Sequence, residues 1–257
     1  MRCKSRLRKE STKMRILKHF TKILGSTMLL ALLFTVLIAG CGGDNNPLDG
    51  GGSGQQSVNL ASAGDYVVLA GSTIANTGTS NVTGDIGLSP GTSVGGFPPG
   101  IMNGTQHVND VDANNAKLDL TTAYNNAAGR TVAPISVAGN IGGRTLAPGL
   151  YKSTSSLEIS SGDLTLNGNS NAIWIFQIAS TLTTTAGRKV ILSGGANAKN
   201  VYWQVGTSAT LGTTTVFKGT IMADQSITMN TGATLEGRLL ARIGGVTLNG
   251  NTLVKPN

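Results

Sequence analysis

The stretch Gly219–Asn230, GTIMADQSITMN, returns as Gly237–Asn249, GRLLARIGGVTLN. Gly219 aligns with Gly237, Ile221 with Leu239, Met222 with Leu240 and Ala223 with Ala241. After a one-residue insertion, Ile227-Thr228-Met229-Asn230 aligns with Val246-Thr247-Leu248-Asn249, a period of eighteen to nineteen residues. IFQIA (Ile175–Ala179) and YWQVG (Tyr202–Gly206) match in the same way, twenty-seven residues apart. Short β-type segments recurring about every twenty residues predict a solenoid in which each repeat is one coil. Such a coil divides into three strands of about six residues with tight Gly or Asn corners, which makes a triangular β-helix.

A second regularity runs through the same region. A small polar residue precedes an aliphatic one at Asn81-Val82, Ser156-Leu157, Thr181-Leu182, Thr210-Leu211, Thr234-Leu235 and Thr252-Leu253. Neighbours along a strand point to opposite faces, so an inward aliphatic residue leaves the polar one outside. Two positions earlier stand Thr79, Thr154, Ala179, Ser208, Gly232 and Gly250, all small. The reading is one flat, short-chained, uncharged outer column, with Thr213 to Thr215 turning a corner. One segment breaks the β pattern. In Asp110–Gly129, Ala113, Ala116, Leu120, Ala123 and Ala127 fall at helical steps, so a helix is expected over about 110–128. Asp110 caps its start and Gly129 ends it.

The 257-residue chain is rich in glycine and poor in charge, and its net +8 is concentrated in the leader. Nine basic residues (Arg2, Lys4, Arg6, Arg8, Lys9, Lys13, Arg15, Lys18, Lys22) and only Glu10 precede Cys41, which leaves eleven of each sign beyond it. A nucleic-acid partner is not expected of a domain with no basic excess. The apolar run Ile23–Gly40 ends in Ile38-Ala39-Gly40-Cys41, a secretory signal whose end resembles a bacterial lipobox. Residues 1–40 are therefore read as a lipoprotein signal peptide, with Met14 as an alternative start and an uncleaved anchor as the other reading. Cys41 is the expected lipidation site, and residues 41–57 form a Gly-rich flexible linker. The expected localisation is the cell envelope, lipid-anchored at an outer membrane or surface, or secreted if the anchor is unused. The folded domain is placed at 58–257. It holds no cysteine, so no disulfide and no thiolate chemistry.

Several longer segments carry a family resemblance. They are NVTGDIGLSPG (Asn81–Gly91), GGFPPG (Gly95–Gly100), DLTTAYNNAAG, LAPGLY (Leu146–Tyr151), IWIFQIASTLTT (Ile173–Thr184), NVYWQVGTSATLGTTTVFKGTIMA (Asn200–Ala223) and GATLEGRLLARIGGVTLNGN (Gly232–Asn251). Together they resemble the bacterial and fungal ice-binding protein family across essentially the whole domain. The resemblance implies a mostly β fold: a right-handed three-faced β-helix with one long α-helix packed alongside, whose coils do not stack in chain order. It also implies that one flat face binds ice, often through Thr-Ala/Gly-X-Thr/Asn motifs. Thr231-Gly232-Ala233-Thr234 fits that pattern, and Thr207-Ser208-Ala209-Thr210 departs from it at its second position. The resulting ice-binding candidates are Thr79, Asn81, Thr154, Ser156, Thr181, Ser208, Thr210, Thr231, Thr234 and Thr252.

The expected function is adsorption to ice that inhibits its growth or recrystallisation, by a surface-tethered monomer whose partners are ice and, through lipid alone, a membrane. The alternative is a β-helical adhesion or carbohydrate-binding module. Catalysis is not expected, and neither is a cofactor or a metal. β-Helical hydrolases need paired carboxylates or a metal with a base, and no acidic pair falls at coil spacing. Asp110 and Asp112 are explained by helix capping. His107 is isolated in the loop before the helix. Trp174, Phe176 and Trp203 have the parity of core residues rather than of a sugar platform, and Tyr202 is read as core with them, inside or beneath the helix.

Overall fold

The computed structural model describes residues 54–256; the leader, Cys41 and most of the linker lie outside the described residues. The described chain winds into coils of three strands, and every strand pairing is parallel. Three faces result. Face A contains Gly149–Ser153, Trp174–Ile178, Val201–Val205, Tyr66–Ala70 and Asp85–Leu88. Face B contains Leu157–Ile159, Leu182–Thr184, Ala209–Leu211, Ile227–Met229, Val246–Asn249, Thr73–Thr77 and Ser93–Gly95. Face C contains Leu164–Asn167, Val190–Ser193, Thr252–Val254, Asn81–Thr83 and Ile101–Asn103. Two strands of eight residues, Val216–Ala223 and Thr234–Ala241, run from face C into face A around Gly219 and Gly237.

Stacking order differs from chain order. The C-terminal coil meets the N-terminal one on every face: Leu239 pairs with Val68, Val246 with Ile74 and Thr252 with Asn81. The described chain therefore enters the middle of the stack, builds one end through Gln106–Val108, and must cross to the other end. Helix α1 (Val111–Ala128) makes that crossing along face A. All five residues of its predicted stripe are buried, together with Tyr124, which the alanine spacing did not include. Asp110 caps the helix by accepting from Ala113 N at 2.8 Å, and His107 Nδ1 lies 2.8 Å from the same carboxylate. His107 sits on the strand Gln106–Val108 rather than in a loop. At the other end buried Gln177 donates to the carbonyls of Ala127, Ala128 and Arg130 at 2.8–3.0 Å. Carbonyls that a helix end leaves unpaired are thus satisfied by the sheet beneath.

The interior is a continuous column of apolar side chains. Tyr151, Phe176, Trp203 and Phe217 stack from coil to coil, the closest pair being Phe176 and Trp203 at 3.9 Å between ring centres and 7° between planes. Such pairs contribute about 0.5–1.5 kcal/mol beyond the area they bury. Outside face A, Leu150, Ile175, Tyr202, Met222, Leu240 and Leu69 form a second cluster beneath α1 and the segment that precedes Tyr66. Trp174, Phe176 and Trp203 point inward and Tyr202 lies under this cover, as their parity predicts.

Lys117 pins α1 to the sheet, its ammonium donating to the carbonyls of Ala241 and Arg242 at 2.5 and 2.6 Å. Burial, and then the neighbouring charge of Arg242, pull its pKa down to about 8. The folded state therefore releases this proton before the unfolded chain does, so stability rises as pH increases from about 8 toward the ordinary lysine value. Tyr66 opposes this higher up. Burial, then Asp110, Asp112, Asp85 and Asp65, push its pKa to about 12, so the fold loses stability once unfolded tyrosine ionises. Thermal melts should show a maximum near pH 10, roughly between these two limits. Lys117→Met should remove the rising limb; a melting curve that declines steadily from pH 7 would contradict this assignment.

Candidate functional site

Face A is covered by α1, so an extended outer surface must lie on B or C. Face C is interrupted. Val190–Ser193 and Val216–Lys218 are joined by a single β-bridge between Lys189 and Val216, and a cleft opens between them. Its rim carries the ion pair of Lys218 with Glu236, 2.6 Å apart. Ile191, Ile101 and Val254 are exposed on the same face. Face B is unbroken. Eight strands pair along it from Gly139–Asn140 to Ser93–Gly95, and the only charged residue within them is Glu158.

The residues of face B alternate strictly. Leu157, Ile159, Leu182, Leu211, Ile227, Met229, Val246, Leu248 and Ile74 point inward and are essentially inaccessible. Between them the pairing brings one outward residue from each coil into a central column: Asn140, Glu158, Thr183, Thr210, Thr228, Thr247, Ala75 and Gly95. Four successive coils thus present threonine at the same height, about 4.7–4.9 Å apart. The column on one side holds Ser156, Thr181, Ser208, Ser226 and Thr73, and that on the other Ser160, Thr185, Asn230, Asn249 and Thr77, each roughly 6.6 Å from the centre.

The hydroxyls differ by column. Several flanking ones are tied into the stack. Ser156 Oγ accepts from Thr181 Oγ1 at 2.7 Å, Ser208 Oγ from Ser226 N at 3.3 Å, and Ser226 Oγ from Gly245 N at 3.3 Å. Asn249 Nδ2 donates to Thr231 Oγ1 at 2.9 Å. Among the described residues, no protein group hydrogen-bonds the hydroxyls of Thr183, Thr210, Thr228 or Thr247, so all four address solvent. β-Branching restricts their χ1, and the parallel pairing fixes their backbones, so the array is ordered before anything binds. A regular set of methyls and hydroxyls with no charge can order water but offers nothing that could act as an acid, base or nucleophile.

The polar-before-aliphatic pattern does not form one column. Ser156, Thr181, Ser208 and Thr210 lie on face B, with Thr210 in the centre and the other three at its edge. Asn81, Thr234 and Thr252 pair with one another on face C. Thr79 and Thr231 are exposed at the B–C corner, and Thr154 lies at the A–B corner. Thr231-Gly232-Ala233-Thr234 therefore straddles a corner: Gly232 takes a left-handed φ of 69°, Ala233 is buried and Thr234 faces C. Coils enter both B and C, and on both faces many entries set a polar residue before an inward aliphatic one, as at Ser226-Ile227 on B and Thr234-Leu235 on C. The rule consequently merged two faces. Thr183, Thr228 and Thr247 were missed, although the repeat ITMN/VTLN already displayed two of them between inward aliphatic residues. Thr213 to Thr215 do turn the corner, with Thr214 left-handed at φ 56°. Cys41 lies outside the described residues.

Comparison with known proteins places this geometry. The family model described as ice-binding-like matches residues 68–254. An ice-binding protein of Nostoc sp. (strain HG1) is 45% identical over 195 residues, covering 75% of this chain and 72% of that one. An ice-binding protein of Flavobacterium frigoris (strain PS1) is 38% identical over 228 residues, 82% of each chain. Among solved structures, an ice-binding protein from an Antarctic biological consortium superposes with a TM-score of 0.78 at 64% identity, covering 79% of this chain and 93% of that one. One from the ascomycete Antarctomyces psychrotrophicus gives 0.75 at 38% identity, covering 79% and 100%.

Proposed function

The chain belongs to the ice-binding-like family, a family of ice-binding proteins rather than enzymes, and we propose that it adsorbs to ice through face B, restraining ice growth or recrystallisation from a tethered position at the cell surface. The observation that carries this reading is the in-register column Thr183, Thr210, Thr228 and Thr247, with four solvent-directed hydroxyls on a face whose strands carry one charge. Adsorption to a solid surface sums many weak contacts, so affinity depends on the area and stiffness of the array. Threonine contributes a methyl that repels liquid water and a hydroxyl that bonds ordered water. The buried aromatic stack and the parallel ladders beneath supply the stiffness.

Tethering is supported by the leader and by where the described chain ends. The entering segment runs past Lys199, Asn200, Tyr202 and Arg238, at the edge between faces C and A. The last described residues leave the same edge, where Lys255 Nζ donates to the Asp65 carbonyl at 3.2 Å. In a three-sided prism that edge is opposite face B, so a support attached there leaves face B free. The full chain at micromolar concentration should facet ice crystals and slow their coarsening. It should keep doing so when immobilised on beads through its N-terminus. Absence of both activities in the free chain would defeat the ice reading, and loss only on the beads would defeat the tethered presentation.

A further inference from the structure

We propose that Glu158 is the residue that ends the adsorbing array at one side, holding the chain below the ice affinity its own scaffold can support; this rests on the assignment of face B to ice. The coil that contains Glu158 is built like its threonine-bearing neighbours. Leu157 and Ile159 are fully buried on either side of it and pair with Leu182 and Thr184. Glu158 pairs directly with Thr183, so it occupies the next position of the central column. The flanking grid also continues into this coil, where Ser156 is hydrogen-bonded to Thr181 at 2.7 Å. Only the central side chain departs from the pattern.

The departure is chemical. A carboxylate is acceptor-only and strongly hydrated, and its charge orients surrounding water radially rather than in a lattice. Among the described residues no cation pairs with Glu158, whereas the acidic groups of Asp224 and Glu236 have partners at 2.6 Å. One coil further out, Asn140 cannot resume the array. Its Oδ1 is turned into the backbone, accepting from Gly142 N at 2.9 Å and Ser160 N at 3.0 Å. At the opposite end the column fades through Ala75 and Gly95, which have no hydroxyl but introduce no charge. The two ends are therefore unlike: one lacks groups, and the other carries a group that opposes adsorption.

The test uses the full chain with three substitutions. Glu158→Thr adds a fifth threonine in register and should raise thermal hysteresis about twofold at equal concentration, because each added contact is made by an already ordered array. Glu158→Gln removes the charge at nearly constant shape and should give a smaller rise. Thr210→Arg serves as the control for the face itself. If Thr210→Arg is inactive while both Glu158 variants match or fall below the parent, Glu158 is not the limit. A rise for Glu158→Thr alone would assign the effect to shape and overturn the argument from charge. If Thr210→Arg stays fully active, face B is the wrong surface and the reading of Glu158 falls with it. Circular dichroism melts check that each variant folds.

Discussion

Thr210→Arg is expected to abolish ice faceting and recrystallisation inhibition, a loss of about tenfold or more in activity at equal concentration. Thr234→Arg, made in the same background, is expected to leave both unchanged. The two threonines look alike in sequence, each preceding an inward leucine, but the pairing separates them. Thr210 lies between Thr183 and Thr228 in the centre of face B. Thr234 pairs with Thr252 on face C, near the Lys218–Glu236 ion pair. A guanidinium arm at Thr210 would stand above the plane and hold neighbouring coils away from a flat solid. It would also add a mobile, hydrated charge to a surface that otherwise carries only Glu158. Both positions are outward and half-buried, so stability should change by no more than about 0.5 kcal/mol. Melting temperatures within about 2 °C of the parent would confirm that the difference is one of surface chemistry. Equal loss of activity in both variants would mean that ice is bound at the B–C edge, and loss in Thr234→Arg alone would move the site to face C.

This contrast marks how far the sequence could be read. The repeat Gly219–Asn230 against Gly237–Asn249 predicts parallel coils, and the structure pairs Ile221 with Leu239, Met222 with Leu240 and Ile227 with Val246 as aligned. The helix was legible because its alanine stripe is local, and its cap needs only Asp110. The face was not, because face identity is a long-range property. Thr183 and Thr210 are adjacent through a pairing that spans twenty-seven residues, and Thr247 lies beside Ala75 only because the C-terminal coil stacks on the N-terminal one. Nothing in a short window distinguishes a strand entering face B from one entering face C. The triplet with threonine between two inward aliphatic residues, as in ITM and VTL, is a stronger cue to which residue faces out, but not to the face, because Leu164-Thr165-Leu166 has the same form on face C. There the alternation fixes the outward residue on both sides instead of one.

The glycines of the repeat give the second large expected effect, and they separate two reasons for glycine in one molecule. Gly237→Ala is expected to cost about 3 kcal/mol or more, whereas Gly250→Ala costs about 1 kcal/mol. Gly250 sits in the left-handed region at φ 58°, but an added Cβ would meet nothing within 4 Å. Its cost is conformational only. Gly237 needs no unusual backbone, yet its Cβ would lie 1.9 Å from the carbonyl oxygen of Gly219, one coil away, and 3.0 Å from Leu235 Cδ1. That contact is backbone against backbone at the corner where faces C and A join, so relief requires the coils to separate. Thermal melts of the two variants should therefore differ by several degrees, at about 2–4 °C per kcal/mol for a domain of this size. Equal shifts would show that the corner can open at little cost. The consequence reaches the candidate site, because the coils that meet at Gly219 and Gly237 continue into Ile227–Met229 and Val246–Asn249. A spread corner changes the spacing of Thr228 and Thr247. Gly237→Ala should then lose ice activity at temperatures where circular dichroism still reports a folded chain, and Gly250→Ala should keep it.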